Sequence, residues 1–289
     1  MTNIQAELKA LRQQVDDALA AAVPGASDVP ESLAGALRHG ALGAGKRLRP
    51  LLALGAAEAI GEVPLRVMKT ACAVELVHTS SLVLDDLPCM DAHEERRGMP
   101  AVHRVFGEST AILSAVALLA RAFELVAQNA SELSCSRQAA AWAVEELARC
   151  VGASGMCAGQ QLDLVARSDT APPASIEEVH LRKTGVLFEA AVAVPALLLS
   201  AEPSRLLALR SYASCLGQAF QLCDDIADLQ EDAQGTVGAG KGFNLALAVG
   251  RAPARARVAA LLDRARADLA CFDRRNRILG AIVDLVKAP

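Results

Sequence analysis

The chain has 289 residues, a formal net charge of −4, 53% hydrophobic residues and only 3% aromatics. That length suffices for one large core or two ordinary domains. The charge, and the lack of a basic stripe with interleaved aromatics, argue against nucleic acid as a partner, while local charge still allows a small anionic ligand. Ala and Leu, the strongest helix formers, dominate, and β-branched or aromatic runs are scarce, so the pattern predicts an all-α fold.

The opening stretch MTNIQAELKALRQQVDDALAAA reads as an amphipathic helix with charges throughout. No charged segment followed by an apolar one is present there, so it is not read as a signal peptide. VPGASDVP (23–30) breaks the pattern, and GAGKRLRP then sets Lys46, Arg47 and Arg49 ahead of a helix opened by Pro50. After GEVP (61–64), an apolar helix runs through His78, Ser80 and Ser81 into the acidic stretch SLVLDDLPCMD. RRGMP (96–100), ARSDTAPPAS (166–175) and SAEP (200–203) are further breaks. LRKTGVLFEAA places Lys183, Thr184 and Gly185 in an otherwise apolar helix. A second acidic stretch, FQLCDDIADL, precedes the Gly-rich EDAQGTVGAGKG (231–242). This loop fails as a nucleotide-binding P-loop, because Gly242 stands where Ser or Thr is required and no strand precedes it. It reads better as a flexible lid carrying Lys241.

Short connections suit neighbouring antiparallel helices, and no linker or internal repeat divides the chain. One domain of roughly a dozen helices over residues 1–289 is expected. None of the eight cysteines forms a CxxC pair, which points to free thiols in a reducing compartment, the cytoplasm. No run of about twenty uncharged apolar residues predicts a membrane span, and AAVAVPALLLSA is too short and contains Pro195.

Asp224 and Asp228 are four apart and share a helix face, where they repel unless a cation lies between them. Asp85 and Asp91 are six apart, about 240° on a straight helix. Pro88 offers a way to bring them together, because proline opens the turn before it. If Leu87–Met90 loop out, Asp91 lands where an i+4 residue would be. Carboxylates offering only oxygen suit Mg²⁺, not zinc. The plainer alternative is that each Asp pair is a solvated helix end or a cap.

Basic groups at Lys46, Arg47, Arg49, Arg96, Arg97 and Lys183 are what a diphosphate ligand needs beside two metal sites. Each taken alone reads as a surface charge. His78 lies two turns before Asp85 on nearly the same face. Gln160, Asp163 and Gln221 are polar groups on apolar helices, either internal hydrogen-bond partners or ligand contacts.

Together these residues resemble the trans-isoprenyl diphosphate synthase (polyprenyl synthetase) family, which includes farnesyl and geranylgeranyl diphosphate synthases. The resemblance covers nearly the whole chain. It rests on GKRLRP, HTSSLVLDDLPCMD followed by RRG, GQQLDL, KTG and FQLCDDIAD, in the family's order. It implies a helical bundle around a deep central cavity, a homodimer, and Mg²⁺ as cofactor with three ions per active site. It implies isopentenyl diphosphate and an allylic diphosphate as substrates. By position, Asp85, Asp86 and Asp91 would bind Mg²⁺ on one side, and Asp224, Asp225 and Asp228 on the other. Arg96, Lys183, Thr184, Gln221 and Lys241 would contact the allylic diphosphate, with Arg96 and Lys183 also assigned to catalysis. Lys46, Arg49, His78 and Arg97 would hold isopentenyl diphosphate.

The spacing of the first motif resembles the bacterial farnesyl and the bacterial and plant geranylgeranyl type. Relatives of this type that stop at C15 tend to carry an aromatic at the Ser80 position, so Ser80 and Ser81 imply an open floor and a C20 product, with C15 the alternative. Two departures stand out: Ala92 and His93 replace further acids, and DAQGTVGAGKGFN replaces the usual Gly-Lys-Asp stretch. A terpene cyclase is argued against by DDIAD and GKRLRP. A non-catalytic synthase subunit is argued against by two complete aspartate sets.

Overall fold

Leu8, Leu11, Val15 and Leu19 recur at helical spacing and are all buried, so an apolar stripe fixes α1 (Asn3–Ala22). A computed structural model describes residues 3–27, 29–165, 173–233, 244–273 and 275–286. The expected break at 166–175 lies largely outside these residues, as do most of the 231–242 loop and Lys241.

Next come α2 (Glu31–Ala41), α3 (Leu48–Ala59) and α4 (Met68–Asp85). A hairpin of β1 (Glu95–Arg96) and β2 (Met99–Pro100) leads to α5 (Val102–Phe106), α6 (Glu108–Glu132) and α7 (Arg137–Val151). Beyond it lie α8 (Met156–Val165), α9 (Pro173–His180), a π-helical turn at Leu181–Gly185 and α10 (Val186–Leu198). The chain ends with α11 (Pro203–Ala233), α12 (Leu245–Val249), α13 (Arg251–Asp268) and α14 (Arg277–Leu285). The fold is all-α; strand pairing among the described residues is confined to this hairpin.

Two helices form the middle of the bundle. α10 is buried almost all round, from Leu187 through Leu198, as a helix apolar on every face must be. It packs on α3, α7 and α11. α4 is buried from Thr70 to Val77 and lies against α3 and α6. Small buried residues Ala111, Ser114, Ala115 and Ala122 let α6 approach it closely. Asn129 closes the far end of that seam, accepting from the Thr70 hydroxyl at 2.6 Å and donating to the Arg66 carbonyl at 2.8 Å. One apolar cluster joins these helices from Leu8 to Val286.

Helix α3 begins two residues earlier than the sequence suggests. Pro50 sits inside the first turn, where a missing N–H costs nothing, because the first four amides have no intrahelical partner. Among the described residues, two helical stretches are long and apolar enough to cross a membrane, Pro64–Asp85 and Glu108–Glu132. The first is mostly buried inside the bundle; the second leaves much of one face uncovered.

Candidate active site

The C-terminal end of α4 carries the first acidic cluster. The helix stops at Asp85, and Pro88 lies in the turn that follows. The Asp91 amide donates to the Asp85 carbonyl at 2.9 Å, and the Ala92 amide reaches back to Leu87 at 3.1 Å. The extra residues are thus looped out, as the spacing required. Burial pushes the Asp85 carboxyl up to about 6; Lys183 opposes the shift and Asp91 adds to it. Two acids crowded in a half-buried place favour a cation between them.

Asp86, expected to bind metal, is paired within the protein. It is 2% exposed and accepts from Arg96 Nε at 2.9 Å and from Arg96 Nη2. His93 Nδ1 stands 3.6 Å from the same oxygen. The pair seats the hairpin against α4. Arg97 and Gly98 form its two-residue turn, both at positive φ (56° and 75°), the geometry that matches strand twist. Arg97 is thereby presented from the tip.

The second cluster lies on α11. Burial raises the Asp224 carboxyl to about 6; Lys46 opposes this, and Asp228 and Asp225 add to it. Asp225 is buried at 2% exposure and turned away from that face. Its Oδ2 accepts from the Leu245 amide at 2.7 Å and lies 3.7 Å from His180 Nε2, while Oδ1 accepts from Gln221 Nε2 at 3.3 Å. Both oxygens are thus engaged within the protein, holding α12 and Gln221.

Between the acids lie the cations. Lys183 Nζ is held by Asp163 at 2.8 Å, which assigns Asp163 an internal role. Burial works against the Lys183 charge, but Asp85 and Asp163 outweigh it and raise its pKa. Its position follows from Gly159, where a Cβ would stand 2.3 Å from the Lys183 amide nitrogen, so only glycine lets α8 touch the π-turn. The Thr184 hydroxyl donates to Gln221 Oε1 at 3.0 Å. Gln160, which the sequence left open, has both amide atoms buried without a partner among the described residues. Such an amide is costly unless a polar ligand meets it.

A second group of cations gathers beside GKRLRP. Lys46 Nζ sits 5.6 Å from the centre of the Phe220 ring, and the Arg49 guanidinium 4.9 Å from that of Phe188. Burial lowers Arg49 to about 10, only partly offset by Glu75, and Arg97 lowers it further. Its Nε is buried without a partner among the described residues. Arg97 Nη2 approaches His78 Nε2 at 3.5 Å. Burial, then Arg49 and Arg97, hold His78 well below its usual pKa, so the imidazole is neutral at pH 7. Several guanidinia facing a neutral imidazole form a site for a multiply charged anion.

Ser80 differs from expectation. It is buried with its hydroxyl donating to the Ala115 carbonyl of α6 at 2.9 Å, so it enters the α4–α6 seam. Half-buried Ser81 stays on the Asp85 face and donates to the His78 carbonyl at 2.8 Å.

The polyprenyl synthetase family model matches residues 30–244, which include both acidic clusters and every cation described above. The chain belongs to the polyprenyl synthetase family. Within that family it is 45% identical over 226 residues to a geranylgeranyl diphosphate synthase of Pseudescherichia vulneris, covering 77% of this chain and 72% of the relative. It is 41% identical over 219 residues to the heterodimeric geranylgeranyl pyrophosphate synthase large subunit 2 of Arabidopsis thaliana, covering 75% of this chain and 57% of that protein. The chain thus spans little more than half the length of that plant relative. A solved FPP/GFPP synthase from Zymomonas mobilis superposes with a TM-score of 0.87 at 31% identity, over 98% of both chains. A putative farnesyl-diphosphate synthase from Marinomonas sp. MED121 gives 0.83 at 30% identity, over 99% of both.

Proposed function

We propose that this chain is a geranylgeranyl diphosphate synthase, joining isopentenyl diphosphate to allylic diphosphates with Mg²⁺ as cofactor. The reading is carried by Arg49 and Arg97 around neutral His78 and by Lys46 beside Asp224, set against two crowded carboxylate groups. In it, residues 1–289 act as one catalytic domain.

The oxygen donors fit Mg²⁺. Among the described residues no three His, Cys, Asp or Glu side chains form a closed cage. Mg²⁺ does not need one, since it binds through one or two carboxylates plus phosphate oxygens and water. Asp85 and Asp91 would hold it on one side, and Asp224 and Asp228 on the other, with three ions in all. When bound, the metal supplies positive charge that stabilises departing pyrophosphate.

The chain's own groups do the rest. Lys46, Arg49, His78 and Arg97 bind the isopentenyl diphosphate headgroup. Lys183 adds fixed charge where the allylic C–O bond breaks, placed by Asp163 before the reaction starts. Arg96 addresses the same diphosphate from the hairpin. Gln221, held by Asp225, fixes the Thr184 hydroxyl. The isopentenyl double bond then attacks the allylic cation. Pyrophosphate removes the proton, so no protein base is required.

The names of the most similar relatives support a C20 product. A homodimer is supported by Ile112, Leu113 and Val116, which stand exposed on α6, and by half-exposed Trp142 on α7. A cytoplasmic location is supported by eight cysteines without a disulfide.

The test is incubation of the purified chain with isopentenyl diphosphate, Mg²⁺ and each allylic primer in turn, followed by chain-length analysis. The expected main product is C20. No condensation with any primer would refute the reading, and a monomer by light scattering would remove the homodimer.

A further inference from the structure

We propose that Asp16 of α1 and Arg47 form a clamp that positions the isopentenyl diphosphate loop, so that the N-terminal helix sets affinity for that substrate. The inference rests on the reading of Lys46, Arg49, His78 and Arg97 as the isopentenyl diphosphate site. Asp16 lies ahead of the residues that the family model matches.

Residues 42–46, LGAGK, form neither helix nor strand, and their two glycines make the segment expensive to order. Its placement matters because Lys46 ends it, Arg49 follows it and Arg97 rests on it. A Cβ at Gly45 would stand 3.0 Å from Arg97 Nη1.

Arg47 holds this segment from inside. It is 4% exposed, with a backbone φ of 49° that a non-glycine residue adopts at a cost. That turn sends its side chain inward. Its Nη2 donates to the Gly43 carbonyl at 2.8 Å and the Ala41 carbonyl at 3.3 Å, gathering the loop onto one nitrogen. Nη1 donates to Glu75 at 2.9 Å, three residues before His78 on α4. Nε donates to Asp16 at 2.7 Å. One guanidinium thus ties the loop to the helix that carries His78 and to α1. Lysine lacks the fork that makes this possible.

Behind the loop, towards α1, is a cleft of about 230 Å³ lined by Asp16, Ala20, Gly43 and Gly45. Leu42 packs on the apolar core at one end of the loop, and the Asp16–Arg47 pair bridges the cleft. The Asp16 side chain is 39% exposed, while α1 is anchored by Leu8, Leu11, Val15 and Leu19. Removing the carboxylate leaves the helix's anchor intact.

Kinetics with both substrates varied, and calorimetric titration of inorganic pyrophosphate into metal-free protein, test the clamp. D16A is expected to raise the isopentenyl diphosphate KM and the pyrophosphate Kd about tenfold, the loss of one charge-assisted bond. The allylic KM and kcat should stay within about twofold, the scatter expected of a site not touched. D16N keeps an acceptor for Nε and should fall between D16A and wild type. R47K should exceed D16A; if it does not fold, the two Asp16 variants decide. Equal affinity of D16A and wild type overturns the clamp alone. Parallel rises in both KM values with a lowered Tm also overturn it, since they reduce Asp16 to a stabilising residue. A wild type that binds neither isopentenyl diphosphate nor pyrophosphate overturns the site reading and the clamp with it.

Discussion

The backbone amide of Asp91 donates to the backbone carbonyl of Asp85 across 2.9 Å, closing a loop around Pro88. This bond brings together two acids that a straight helix would hold on different faces. Asp85→Ala and Asp224→Ala should each lower kcat by at least about 10²–10³-fold, the loss expected when one group stabilising leaving-group charge is removed. Circular dichroism should remain that of wild type. Near-normal turnover in either folded variant would show that the metal assignment is wrong.

Neighbours Asp224 and Asp225 should behave differently. Asp224→Asn should raise the Mg²⁺ concentration needed for half-maximal rate. Asp225→Asn should leave that requirement unchanged and instead lower stability by about 1–3 kcal/mol, because the Leu245 amide and Gln221 lose a charged acceptor. Mg²⁺ titrations and thermal melts separate the two. An Asp225→Asn shift in Mg²⁺ requirement as large as that of Asp224→Asn would restore Asp225 as a ligand.

That difference was partly legible beforehand. Asp225 is about 100° round the helix from the face shared by Asp224 and Asp228, and one motif name for all three hid the step. The helical class was legible because Ala and Leu runs leave little else to form, and the loop at Pro88 because spacing and proline chemistry pointed the same way. The Arg97-Gly98 hairpin was less legible, because two-residue strands leave no alternating apolar pattern. The Arg47 acceptors were not legible: Asp16 is 31 residues away and Glu75 28, and no local period links them. The direction of Ser80 was equally hidden, because it depends on how closely α6 approaches.

Asp85 gives a pH-dependent stability. Burial raises its pKa from 3.8 to about 6 in the folded chain. The folded state therefore holds the proton more tightly than the unfolded one. The stabilisation is fully present below about pH 4 and is lost as pH rises through about 6. Metal-free Asp85→Asn should melt higher than wild type at about pH 7.5, and the gap should close by about pH 4. A gap that stays constant across this range would mean that the carboxylate is not strained by its surroundings.

The two hairpin arginines should separate the substrates. Arg97→Ala removes a partner of His78 and should raise chiefly the isopentenyl diphosphate KM, by about tenfold or more for a lost charge-assisted contact. Arg96→Ala should act through the allylic substrate, and it also strips Asp86 of its main cation. Steady-state kinetics with each substrate varied in turn decides. Equal effects of both variants on both substrates would contradict separate sites.

Product length turns on the face of α4 below Asp85. Ser81 is about 40° from Asp85 around the helix and Ser80 about 140°. Their burial agrees: Ser81 is half-exposed on the acid face, and Ser80 is sealed against Ala115. A growing prenyl tail that descends from Asp85 meets Ser81 about 6 Å below, and a serine there leaves room for a fourth isoprene unit. Ser81→Phe should therefore shift the main product from C20 to C15 with little change in Tm. Ser80→Phe should shift it too, but only by forcing the ring out of a filled seam, at about 1–3 kcal/mol of stability. Chain-length analysis of wild type and both variants, with melts in parallel, makes the comparison. If wild type stops at C15, or both variants still make C20, the floor is built by another helix.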